Sequence, residues 1–63
     1  MKKNFGIAVL IDKDTLLLSI QDDGDGHVRA TFVLDPRKAT RFTLAEAQEI
    51  TKIDPRRSRV VML

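Results

Sequence analysis

The stretch RKATRFTLAEAQEITK, Arg37 to Lys52, decides how the rest of the chain must be arranged. Thr43 followed three residues later by Glu46 is a capping box, in which each side chain satisfies a free amide of the first helical turn. Phe42 precedes the cap and Ala47 lies four residues beyond it, the spacing of a hydrophobic staple. Leu44, Ala47, Ile50 and Ile53 recur at helical spacing and give a narrow apolar stripe. Asp54-Pro55 stops the helix, because a residue before proline avoids the α region. Lys52 sits near that end, where a cation suits the helix dipole. A helix with one apolar stripe needs a sheet to lie on.

The preceding residues supply it. NFGIAVLID (4–12) reads as a first strand, with Phe5, Ile7, Val9 and Ile11 on one face and Gly6, Ala8 and Leu10 on the other. TLLLSIQ (15–21) reads as a second: Leu16, Leu18 and Ile20 share one face, Thr15, Leu17, Ser19 and Gln21 the other. HVRATFVLD (27–35) alternates as a third, with Val28, Ala30, Phe32 and Leu34 opposite His27, Arg29, Thr31 and Val33. DKD and DDGDG are turns, the glycines supplying positive φ and the aspartates bonding their own backbone. Pro36 ends the third strand, and SRVVML (58–63) reads as a fourth.

The expected fold is therefore α+β in two layers. A three-stranded antiparallel meander is followed by one helix and a C-terminal strand, β-β-β-α-β, as a single domain over residues 1–63. Pairing the fourth strand beside the first gives the order 3-2-1-4. A strand-helix-strand connection predicts that this fourth strand runs parallel to the first or the third.

Composition narrows the function classes. A domain of 63 residues buries only about 60% of its unfolded surface. With no cysteine, neither a disulfide nor a thiolate metal site can reinforce it, so aliphatic packing or another chain must. No run approaches the roughly 20 apolar residues of a membrane span. MKKNFGIAVLI has the lysines of a signal peptide, but its apolar part ends at Asp12 with no small-residue cleavage site, and we read it as a strand. The expected location is cytoplasmic.

Catalytic and metal patterns do not assemble. In an EF-hand register starting at Asp23, position 5 is His27 and position 12 is Leu34; starting at Asp12, position 5 is Leu16. His27 is the only imidazole, it flanks a glycine turn, and Ser19 and Ser58 are remote from it in sequence. Neither a Walker pattern nor GxGxxG occurs. We expect no enzyme activity, no catalytic residue, no metal, no cofactor and no small-molecule substrate.

Two surfaces remain as candidates. Residues 1–35 carry a formal charge of −2 and residues 36–63 carry +4. Arg37, Lys38, Arg41, Arg56, Arg57 and Arg59 cluster about the helix and the fourth strand as a basic rim suited to an anionic partner. Such residues can contact the phosphates of nucleic acid. Against that, the chain has no tyrosine or tryptophan to stack on bases, and Glu46 and Glu49 face outward from the helix. The second surface is the sheet face that one helix cannot cover, carrying Ala8, Leu10, Leu17 and Val33 with part of VVML. It is either a scatter of ordinary surface aliphatics or a patch for self-association or a protein partner.

The spacing Ala39-x-x-Phe42-Thr43-x-x-Glu46-Ala47-x-x-Ile50 resembles a pattern common in small phage- and prophage-encoded proteins; the C-terminal strand lies outside it. The resemblance implies a short meander followed by a capped helix. It also implies a role in binding one host macromolecule and blocking it, which needs a display surface and no pocket. The expectation is a small binding module that modulates a host protein or nucleoprotein complex. Direct nucleic-acid binding through the rim and a structural homodimer stand as alternatives.

Overall fold

The computed structural model describes residues 2–63. Four strands and one helix follow in the order β1 (Phe5–Ile11), β2 (Asp14–Asp22), β3 (Val28–Val33), α1 (Leu44–Thr51) and β4 (Ser58–Met62). They form one sheet of order β3-β2-β1-β4 with the helix packed on it, the small α+β fold that the strand periodicity and the capped helix predict. Asp12 and Lys13 close the first hairpin between Ile11 and its partner Asp14, and Asp12 takes φ +55°, a value aspartate tolerates. In the second turn the Gly24 and Asp25 N–H groups donate to the carboxylates of Asp22 and Asp23. Gly24 and Gly26 there both adopt positive φ.

Every strand pair is antiparallel, including β1 with β4. This corrects the expected parallel return of the last strand. The reason lies in residues 35–42. β3 ends beside the start of β2, where Val33 faces Leu17. The connector then travels the length of the sheet before the helix begins, since Phe42 pairs with Phe5 at the far end of β1. The helix runs back, and β4 starts opposite Val9 and descends again. An extended connector makes the return that the helix was expected to make.

That connector is built into the sheet. β1 and β2 pair from Ile11–Asp14 to Ala8–Leu17 and then diverge. The connector occupies the gap. Thr40 N–H donates to the Leu18 carbonyl (3.1 Å), and the Thr40 hydroxyl accepts from Ile20 N–H (2.6 Å). The Ser19 hydroxyl donates to the Lys38 carbonyl (3.0 Å), and Ser19 is 4% exposed. Phe42 N–H donates to the Phe5 carbonyl (2.7 Å) and its carbonyl accepts from Phe5 N–H (3.1 Å). No buried side-chain nitrogen or oxygen among the described residues lacks a partner.

Phe42 thereby enters the core with Ile7, Leu18 and Ala47. Burial of a phenylalanine contributes about 1.5 to 3 kcal/mol. Thr43 caps the helix as its spacing predicts: its hydroxyl accepts from Glu46 N–H, and its own N–H donates to the Glu46 carboxylate. Ala47 is fully buried and Ile50 half-buried, but Leu44 and Ile53 are exposed, so the apolar stripe is shorter than the periodicity suggests. The helix spans only eight residues, and Ile53 lies beyond its end. Its backbone approaches β1 and β4 and comes near neither β2 nor β3.

Replacing Thr40 by valine removes the acceptor for Ile20 N–H. We expect a loss of about 1 to 3 kcal/mol in urea unfolding, with Thr40→Ser close to wild type; a Thr40→Val chain of wild-type stability would show that the hydroxyl does not hold the connector.

The cap gives a pH-dependent test. The Thr43 backbone N–H, then its side chain, hold the Glu46 carboxyl below the usual glutamate range. A carboxyl with a folded pKa below its unfolded value stabilises the fold above the unfolded pKa, and that contribution disappears as pH falls through the folded one. In an NMR titration the Glu46 midpoint should lie below the usual glutamate range and rise in Thr43→Ala; equal Glu46 midpoints in the two chains would contradict the cap.

Candidate interaction surface

Register places side chains on the sheet face away from the helix in rows. Arg59 faces Ala8, Ala8 faces Leu17, and Leu17 faces Val33, so one row crosses all four strands from a cation to a run of aliphatics. The next row holds Leu10 opposite Thr15, and Leu10 N–H donates to the Arg57 carbonyl (2.7 Å). Ala8, Leu10 and Thr15 floor an open cleft of about 300 Å³, and Pro55, Arg56, Arg57, Ser58 and Arg59 complete its wall. Three of the rim arginines and two of the apolar-face residues therefore share one concave surface.

The face is less bare than alternation alone suggests. Ala8 is only 3% exposed and Leu17 and Val33 are half-buried, leaving Leu10, at 46%, as the open aliphatic. Two features account for this. The turn of the connector around Lys38 lies on this side, its carbonyl accepting from the Ser19 hydroxyl. At the other end the Leu63 side chain covers Gly6 so closely that a Cβ there would fall 2.6 Å from its Cδ1.

The remaining rim residues belong to the connector. Arg37 is bound to Asp35 through its backbone N–H (2.9 Å) and its guanidinium (3.3 Å). These contacts, the backbone bond foremost, hold the Asp35 carboxyl below its ordinary range. Arg41 donates to the Leu63 carbonyl at 3.5 Å. Lys38 is exposed, with its carbonyl engaged by Ser19. By contrast Arg56, Arg57 and Arg59 are exposed and form no ion pair among the described residues. The sequence places six cations near the helix; only the antiparallel run of β4 shows which stand beside Ala8 and Leu10.

No group of three or more histidine, aspartate or glutamate side chains among the described residues is placed to hold a metal ion. His27 is exposed beside its turn. Among the described residues no helix is long and apolar enough to cross a membrane. Comparison with known protein families, with curated proteins and with solved structures finds no match to this chain.

Leu10 and Ala8 differ enough in exposure to give contrasting variants. Leu10→Ser should alter stability by no more than about 0.5 kcal/mol. Ala8→Lys should destabilise by about 1 kcal/mol or more, because a buried methyl is replaced by a cation with no partner; equal stabilities in urea would contradict the burial assigned to Ala8.

Proposed function

We propose that this chain is a small non-enzymatic binding module whose contact surface is the cleft between Leu10 and the arginines at the start of β4, Arg57 and Arg59. The observation that carries the reading is the meeting of unpaired cations, Arg57 and Arg59, with an exposed aliphatic on a face that the helix does not cover. A partner suited to it is a protein surface with an apolar spot ringed by carboxylates. Charges on both sides of such a contact speed encounter and set register, while the apolar centre excludes water. The resemblance of Ala39 to Ile50 to small phage-encoded proteins directs the search to host macromolecules, alone or as nucleoprotein complexes, in the cytoplasm.

The test is capture from bacterial lysate by the immobilised chain, its R57E/R59E variant and a K2E control. A specific partner retained by wild type and K2E and reduced on the order of tenfold in R57E/R59E supports the reading. Equal recovery on all three surfaces removes the cleft from consideration. Titration with duplex and single-stranded oligonucleotides at low and raised salt separates the alternative: tight, salt-sensitive binding lost in R57E/R59E would transfer the cleft to nucleic acid.

A further inference from the structure

We infer that the open edge of β4 takes up an extended acidic segment of a protein partner as a fifth strand, an inference that rests on the binding role of the cleft and names the form its partner takes there. In the order β3-β2-β1-β4 the last strand has a neighbour on one side only. The Leu10 N–H donates to the Arg57 carbonyl (2.7 Å), and the Leu63 N–H to the Asn4 carbonyl (2.9 Å). In the β1–β4 register these bonds turn the backbone groups of Arg57, Arg59, Val61 and Leu63 toward β1. Ser58, Val60 and Met62 therefore direct theirs outward. The Ser58 N–H is taken by the Asp54 carbonyl (3.0 Å), so the preceding turn closes the edge at that end. The Ser58 carbonyl and both backbone groups of Val60 and Met62 have no backbone partner among the described residues.

The chemistry of the occupant follows from the charges along this edge. Every ion pair among the described residues lies elsewhere: Lys3 with Glu46, Arg37 with Asp35, and Lys52 with Glu49. Arg41, past the other end of the strand, donates to the Leu63 carbonyl. Arg56, Arg57 and Arg59 are exposed, unpaired and together on the wall of the cleft. Asp54 lines the groove on the helix side with Ile50 and Ile53, and Asp12 sits in the first hairpin turn; neither pairs with an arginine. Cations on an edge turn away strands of their own charge and draw negative ones. A second copy offers two edges, and the charged residues within them are Arg29 in β3 and Arg59 in β4. It has no acidic strand to give.

Register then specifies the segment. Arg59 and Val61 stand on the cleft side of β4, opposite Ala8 and Gly6. Val60 and Met62 stand on the helix side, and Met62 is 77% exposed. An antiparallel addition, the sense of every pair in this sheet, meets Met62 first and the arginines last. Its residue opposite Arg59 occupies a non-hydrogen-bonded position, where facing side chains approach most closely. The segment therefore carries apolar residues opposite Met62 and Val60, then carboxylates opposite Arg59 and toward Arg57 at its C-terminal end. Backbone bonds to Val60 and Met62 hold any extended chain; the arginines select its charge and direction.

The probe is a capped, fluorescently labelled peptide of sequence VTVETE, titrated with the full chain and read by anisotropy. In the expected register its first, third and fifth amides face β4. N-methylation of those three should weaken binding about tenfold or more, and N-methylation of the second, fourth and sixth should leave it unchanged. R57E/R59E should lose about tenfold, whereas V28K, on the far edge of the sheet, should bind as wild type does. Bound peptide should slow hydrogen exchange at the Val60 and Met62 amides. Equal binding of the two N-methylated peptides overturns strand addition and leaves the cleft as a site for acidic side chains. Slowed exchange along β3 in place of β4 overturns it too. So does the absence of peptide binding at concentrations on the order of millimolar; lysate capture with R57E/R59E then decides the binding role of the cleft by itself.

Discussion

The hydroxyl of Thr40 and the backbone groups it meets on β2 govern this fold. β1 and β2 separate beyond Ala8 and Leu17, and the amides and carbonyls exposed by that separation need partners away from water. The connector supplies them through Thr40 and Phe42, and its Lys38 carbonyl accepts from the Ser19 hydroxyl. A buried N–H left without an acceptor costs about 1 to 3 kcal/mol, a large share of the stability available to a domain this small. The seat of the connector is therefore a condition of the fold and not an ornament on it.

Much else follows from that seat. Phe42 is delivered to the core, and Thr43 is placed to start a helix at the far end of β1. The helix must then run back along the sheet, which forces β4 to descend antiparallel to β1. That direction sets Arg59 opposite Ala8 and Arg57 beside Leu10. It also draws α1 over β1 and β4 and leaves the helix side of β3 bare. Both candidate surfaces are consequences of where one extended segment lies.

The sequence shows these features unequally. Period-two alternation in FGIAVLI and TLLLSIQ records which residues share a face, because the buried face tolerates only apolar side chains. The capping box and staple record where the helix begins, because those interactions join residues three to five apart. Thr40 accepting from Ile20, and Ser19 donating to Lys38, join residues 20 and 19 apart through hydroxyls and leave no periodic mark. Without them the direction of β4 cannot be read, nor which arginines of the rim stand next to Leu10. The cover that Leu63 gives Gly6 is hidden for the same reason.

The gap between the first two strands also orders events in time. The hairpin around Asp12 and Lys13 closes on nearby contacts alone and can zip on the microsecond scale. It can zip only as far as Ala8 and Leu17. Joining Phe5 to Phe42 closes a far longer loop, whose entropy must be overcome before any bond rewards it. The splayed end is thus assembled late, after the turn end of the same hairpin.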